Sequence, residues 1–303
     1  MNSYRISGLA VSSQLELPGA IAMAEPDGHP DVTVRLAPVP QALDLATSSG
    51  PTWAMDDDAF LLRVPRLARF LIRGGREICV ELESGATARD ASGFVLGASF
   101  GILLHQRGDM VLHGAAVAKN GRAIVICGQS GAGKSTLAAA LCREGFELVA
   151  DDICVVSSDA KRGCVVLPDG RQLKLWRESI DRLDLATRQG EAVRESFEKY
   201  FIEPQSSTTS TPSLAAIFVL REARAPLKEG IEPLAPPDAI RLLDRQAYRP
   251  ELRARLGSKP QRLAQAAGLL VHAKVFTLVR PLGFEHIPQT VALLRDHCDA
   301  MGP

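Results

Sequence analysis

Eight consecutive residues hold the clearest chemistry of the chain: Gly128-Gln129-Ser130-Gly131-Ala132-Gly133-Lys134-Ser135 fits the GxxxxGK[ST] spacing at every fixed position. The phosphates of a nucleotide are enclosed by backbone N–H groups at a helix N-terminus, and side chains in the loop would block that approach. Gly128, Gly131 and Gly133 leave the space open, while Gln129, Ser130, Ala132 and Thr136 complete the cradle. Lys134 offers a point charge between the β- and γ-phosphates, and the Ser135 hydroxyl reaches a magnesium ion. ATP and Mg2+ are therefore expected. Two further groups stand nearby in sequence: His113, inside Val-Leu-His-Gly, and the carboxylates Asp151 and Asp152 behind an apolar run. In phosphate-loop proteins an acidic residue at the C-terminal end of a neighbouring strand holds the magnesium or its water, and the carboxylate pair fits that role. A lone histidine in a strand is ordinarily a packing or edge residue, so His113 gains meaning only beside the other two motifs.

These groups need a strand before the loop and a helix after it. Ala123 to Cys127 is an apolar, β-favouring run, and Thr136 to Cys142 is built of good helix formers that end before a C-cap glycine, Gly145. Phe146 to Ala150 reads as a strand that ends at the carboxylates. Met110 to Val117 reads as the strand carrying His113, and Asn120-Gly121 turns it into the loop strand. Farther on, Pro168-Asp169-Gly170 marks a bend before Gln172-Leu173-Lys174-Leu175-Trp176. Helical character is expected over 179–188, 191–197, 237–248 and 250–256, strands over 214–220 and 274–279, and a closing helix over 288–298. The polar SSTTSTPS run at 206–213 reads as a loop, with a lid over substrate as the alternative. Alternating strands and helices predict an α/β fold with a mixed sheet for residues 98–303.

Residues 1–97 differ in pattern. Short β-like segments at 4–11, 31–36, 59–64, 70–72 and 77–82 predict a smaller β-rich, mostly antiparallel N-terminal domain that recruits or orients substrate. Residues 37–58 read as a loop with Asp56-Asp57-Asp58 as its solvated tip. SGFVLGASFGILLHQR at 92–107 is apolar at helical spacing, with Gly97 and Gly101 four apart, and is the expected junction.

Lysine plus arginine and aspartate plus glutamate balance at 35 each, which gives no electrostatic argument for a nucleic-acid partner. Six cysteines without CxxC spacing read as reduced packing residues of a cytoplasmic protein. No uncharged 18-residue apolar span and no basic n-region with an apolar block is present, so neither membrane insertion nor secretion is expected. Association between copies of the chain is left open.

Together, His113-Gly114, the loop at 128–135 and Ala150-Asp151-Asp152 resemble the catalytic domain of HPr kinase/phosphorylase, a P-loop serine kinase family. The resemblance implies catalytic roles for Asp151, as acceptor of the substrate hydroxyl's proton, for His113 beside it, and for Lys134. It implies Ser135 and Asp152 as magnesium ligands. Thr136 stands where that family usually carries Glu, and Gln172 to Trp176 replaces its glycine-rich signature, which points away from HPr as the acceptor. The segments RFLIRGGREI at 69–78, LLHQRG at 103–108 and LKLW at 173–176 look like HPr-kinase-related proteins of lasso-peptide biosynthesis, which phosphorylate a serine near the C-terminus of a precursor peptide. The resemblance thus implies a peptide or small-protein acceptor bearing a serine. An HPr-type protein kinase/phosphorylase and a nucleotide-sensing regulator without turnover are the alternatives.

Overall fold

The computed structural model describes residues 1–24, 28–169, 171–193 and 198–301. Eight strands open the chain: β1 (Asn2–Ile6), β2 (Leu9–Ser13), β3 (Val32–Leu36), β4 (Ser48–Gly50), β5 (Trp53–Met55), β6 (Ala59–Val64), β7 (Ala68–Arg73) and β8 (Glu77–Leu82). They make one sheet in the order β1-β2-β3-β8-β7-β6-β5-β4. It is antiparallel except where β3 lies parallel to β2 and β8. Residues 4–11 are not one strand, because Ser7 and Gly8 take φ of 51° and 77° and fold them into the β1–β2 hairpin. The stretch 37–58 is not all loop either. Three-residue strands are too short to leave a periodic signal, yet β4 and β5 pair there, and Trp53 stacks on Phe60 with centroids 5.6 Å apart.

The junction helix begins earlier than its apolar pattern, since Thr87 accepts a hydrogen bond from the Asp90 N–H and caps α1 (Ala88–Phe94). A π-helical turn over Val95–Ser99 leads on into α2 (Phe100–Gln106). Phe100, Ile102, Leu103 and Leu104 pack into one cluster with Ile6, Val34, Phe70 and Ile78, and that cluster continues into Val111, Ile153 and Tyr248. The line between residues 97 and 98 therefore falls inside the π turn, and the first sheet shares its core with the two strands that carry His113 and the carboxylates.

The second sheet comprises β9 (Met110–Lys119), β10 (Arg122–Cys127), β11 (Glu147–Asp159), β12 (Gly163–Leu167), β16 (Ser213–Glu222), β17 (Gly230–Pro233) and β18 (Lys274–Arg280). It is mixed: β10, β16 and β18 run parallel, while β9 lies antiparallel to both β10 and β11. A small sheet of β13 (Leu173–Trp176), β14 (Gln189–Ala192) and β15 (Lys199–Ile202) stands beside it, with α4 (Arg177–Arg182) following β13. Alternate strand residues face opposite ways. Val117, Ile126 and Phe218 pack with α3 (Lys134–Arg143) and α8 (Ile287–Ala300), whereas Ala116, Val125 and Ile217 pack with α5 (Pro236–Gln246) and α7 (Lys259–His272). The remaining helix, α6 (Pro250–Leu256), packs against the first core through Leu252 and Leu256.

Several expectations need correction. Strand β11 does not stop at Ala150 but runs through both carboxylates to Asp159. Residues 191 and 192, expected to open a helix, instead end the strand Gln189–Ala192 held by Lys199–Ile202, while 194–197 and Gly170 lie outside the described residues. The 206–213 run lies along the start of β11, where the Ser206 hydroxyl donates to Phe146 O at 2.9 Å and Thr208 N to Leu148 O at 3.0 Å. Helix α7 had no counterpart in the reading, although its capping box, Ser258 with Gln261, is a sequence-level start signal. All six cysteines are free. Among the described residues no helix is long and apolar enough to cross a membrane.

Candidate active site

Strand register brings the motifs to one edge. Gly114 of β9 faces Cys127 on one side and Asp152 on the other, so the residue before the loop and the carboxylates flank the same point of β9. A side chain at 114 would meet Ile126 O at 2.7 Å, which explains why His113 is followed by glycine. His113 itself faces Ile153 across the β9–β11 ladder.

Past Cys127 the chain enters the glycine-rich loop whose spacing predicts phosphate binding. Gly133 adopts φ 84°, a conformation that favours glycine, and a Cβ there would stand 2.7 Å from the end of the Arg280 side chain. Helix α3 starts at Lys134 without a side-chain cap, leaving its first N–H groups for an anion. Lys134 is buried and its Nζ donates to Gly128 O and Gln129 O at 2.9 and 3.0 Å. An ammonium has three donors, so one remains for a phosphate oxygen. Burial lowers the Lys134 pKa, with Asp151 and Asp152 pulling it back up. Gly128 and Gln129 thus contribute carbonyls that hold the lysine, and Ala132 O accepts from Arg280 Nη2 at 2.7 Å. Ser130, Gly131, Gly133, Lys134, Ser135 and Thr136 line a cavity of about 470 Å³ together with His113, Asp151 and Asp152. Thr136 Oγ1 also pairs with Ser179 Oγ at 3.0 Å.

The two carboxylates have different partners. In a regular strand they would point to opposite faces, but Asp152 takes φ 74°, a rare conformation for a non-glycine residue, and both line the cavity. Asp151 is buried; its Oδ1 accepts from Ser135 Oγ at 2.7 Å and its Oδ2 from Lys174 N at 3.2 Å. Burial pushes its pKa up, opposed by the Ser135 bond. Asp152 is partly exposed, and its Oδ1 lies 3.2 Å from His113 Nδ1, which is also 3.1 Å from Asp152 O. A carbonyl can only accept, so Nδ1 carries the proton. Burial works against the Asp152 charge but is outweighed by His113 and Lys174, which hold the carboxyl well below its ordinary range. The expected metal pair, Ser135 with Asp152, is therefore not the pair in hydrogen-bond contact; Ser135 meets Asp151.

Three cations of this cavity were not among the residues picked from sequence: Lys174, Lys199 and Arg280. Arg280 ends β18 beside Glu222 of β16, at the carboxyl ends of the parallel strands. Only its position after a β-run could have marked it. Lys174 sits in the LKLW segment, where burial lowers its pKa and the neighbouring Arg171 lowers it further. Among the described residues no group of three or more His, Cys, Asp or Glu could hold a metal. Ser135 and Asp151 still suit magnesium, which keeps several waters and takes one or two protein oxygens plus phosphate oxygens.

No curated protein matches this chain. Among solved structures, the HPr(Ser) kinase/phosphatase from Coxiella burnetii aligns over 63% of this chain and 92% of its own, at 12% identity and a TM-score of 0.34. That likeness is too loose to bear on the site. Residues 107–170, which contain His113, the phosphate loop and both carboxylates, match the family model of the HPr Serine kinase C-terminal domain, and this stretch of the chain is HPr-kinase-like.

Proposed function

We propose that the protein is an ATP- and magnesium-dependent kinase that transfers the γ-phosphoryl group to a serine hydroxyl of a peptide or small protein. The narrower acceptor implied by the lasso-kinase resemblance, the C-terminal region of a precursor peptide, belongs to the same proposal. One observation carries it: a phosphate loop and two carboxylates with different partners face one cavity, Asp151 on Ser135 and Asp152 on His113. Phosphoryl transfer asks the protein for position and charge more than for covalent chemistry. The loop amides, Lys134 and Arg280 would hold the phosphates. Ser135 and Asp151 would hold magnesium, which when bound neutralises charge on the phosphate oxygens.

The geometry supports exchanging the two carboxylate roles that the resemblance implies. Both oxygens of Asp151 are engaged inside the protein, one by the loop serine that serves magnesium in phosphate-loop proteins. Asp152 is the carboxylate open to the cavity, kept ionised and oriented by the His113 Nδ1–H. It would take the serine proton as the new Oγ–P bond forms and the bond from phosphorus to the departing ADP oxygen breaks. A base of low pKa suffices where proton transfer is late in a loose transition state.

The test is transfer from γ-labelled ATP to a pool of serine-bearing peptides, with phosphoserine identified in the product. Label on serine that requires Mg2+ supports the reading. Nucleotide binding with no transfer to peptide or protein would refute it in favour of a regulator.

A further inference from the structure

Resting on the kinase reading, we propose that the acceptor reaches Asp152 through a second cleft, between α1 and the β13–β15 sheet, and that this cleft selects an acidic peptide. The cleft measures about 320 Å³, within the range of specific ligand sites. One wall is Gly93, Leu96 and Gly97 of the α1 and π-turn segment, and the other is Trp176 and Phe201 of the small sheet. It shares Asp152, Lys174, Trp176 and Lys199 with the phosphate cavity but includes no residue of the phosphate loop. In-line displacement puts the attacking oxygen opposite the leaving one. With ADP held by the loop, the hydroxyl must come from the side away from it, and Asp152 stands where the two cavities join.

Charge and surface identify the occupant. Among the described residues that line the cleft, Arg89, Lys174 and Lys199 outnumber the carboxylates, of which Asp152 is one. Arg89 stands on the exposed rim, where it pairs with Glu191, while Lys174 and Lys199 bring positive charge to the end of the cleft nearest Asp152. Leu96, Phe201 and Trp176 add apolar surface that a bare inorganic anion would not use. The wall is also fixed in place. Arg171 is buried, its Nη1 donates to Leu96 O at 2.7 Å, and its Nε sits 2.6 Å from Asp169, which also accepts from Ser7 of the first hairpin at 3.2 Å. A pre-formed wall lowers the ordering cost of binding. The first sheet thereby contributes to acceptor recognition without touching the nucleotide loop.

Gly93 allows the test, because it is exposed and a Cβ there would meet nothing within 4 Å. Gly93→Trp should fold and fill the cleft, while Gly93→Ala should not obstruct it. The probe is a fluorescein-labelled peptide with one serine flanked by glutamates, compared with its lysine-flanked counterpart, in the presence of magnesium and a non-hydrolysable ATP analogue. Fluorescence anisotropy should show the glutamate peptide binding wild type and Gly93→Ala at least about tenfold tighter than the lysine peptide, a margin of about one charged contact. Gly93→Trp should lose that binding with nucleotide affinity unchanged, and Lys199→Glu should abolish the preference for acid. Equal binding of both peptides to wild type, or undiminished binding by Gly93→Trp, would overturn the proposal. The same peptides with labelled ATP separate the two readings. Binding in this pattern without serine phosphorylation would refute the kinase and leave the cleft, whereas phosphorylation indifferent to Gly93→Trp would refute the cleft and leave the kinase.

Discussion

Replacing Asp152 with Asn removes a negative charge while keeping shape. Its Oδ1 lies 3.2 Å from a protonated His113 nitrogen, so an asparagine carbonyl can keep that bond and turn its NH2 toward the cavity. A donor then stands where the serine hydroxyl needs an acceptor. Turnover should fall by roughly 10²–10⁴, about 3–5 kcal/mol of barrier, with Mg-ATP affinity little changed. Asp151→Asn is a different perturbation: Ser135 can still donate to the amide oxygen, but Lys174 N–H would face an NH2, and the magnesium ligand loses its charge. Its half-saturating magnesium concentration should rise about tenfold or more. Calorimetry with Mg-ATP and transfer rates across a magnesium titration, for both variants, distinguish the roles. Asp152 also stays ionised below the ordinary carboxylate range, so its titration should leave kcat flat from neutral pH down to about pH 5. A raised magnesium demand in Asp152→Asn with pure turnover loss in Asp151→Asn would restore the opposite assignment, and two fully active variants would remove both residues from the chemistry.

Lys134→Ala should cut transfer by about a hundredfold or more and weaken nucleotide binding, a loss of about 3 kcal/mol in the transition state measurable by labelled-phosphate transfer. Gly133→Ala must accept φ 84° and displace the end of Arg280 from a 2.7 Å contact, so ATP affinity should drop about tenfold by calorimetry and the melting temperature should fall by a few degrees. His105, buried and donating from Nε2 to Tyr248 O at 2.8 Å, has its pKa lowered by burial from 6.5 to about 4. The fold prefers the neutral ring, so its contribution is whole above about pH 6.5 and is lost as pH falls toward 4. That amounts to about 3 kcal/mol, which urea unfolding at pH 7 and pH 4.5 should reveal and a His105→Gln variant should largely abolish.

What the sequence disclosed was chemistry encoded in neighbours. The loop from Gly128 to Ser135 is legible because its glycines, lysine and serine act through backbone only a few residues away. Strand β8 and helix α6 fall where their local patterns put them, at Glu77–Leu82 and Pro250–Leu256. Contacts between distant residues were not legible. The link from Ser135 to Asp151 depends on α3 folding back over β11, and the φ of 74° at Asp152 depends on β11 continuing past it. Alternation alone placed the two carboxylates on opposite faces. Lys174 and Arg280 are hidden for the same reason, since a basic residue within or at the end of a short β-run is ordinarily solvated and only the folded arrangement brings these two to the loop.

Arg280 shows why that hidden part matters. Its guanidinium is buried to 7% exposure, burial lowers its pKa, and it donates to two carbonyls, Ala132 O and Pro281 O. Its Nε has no hydrogen-bond partner among the described residues. Carbonyl dipoles stabilise a buried cation far less than a carboxylate would, and an orphaned buried N–H costs about 1–3 kcal/mol. A core built only for stability would not retain this arrangement. In the proposed kinase a phosphate group at the cavity would supply the missing negative charge and offset that folding cost. On that reading the loop, Lys134 and Arg280 would form a positive site fixed in position before reaction, and preorganised charge of this kind lowers a barrier without reorganising during it.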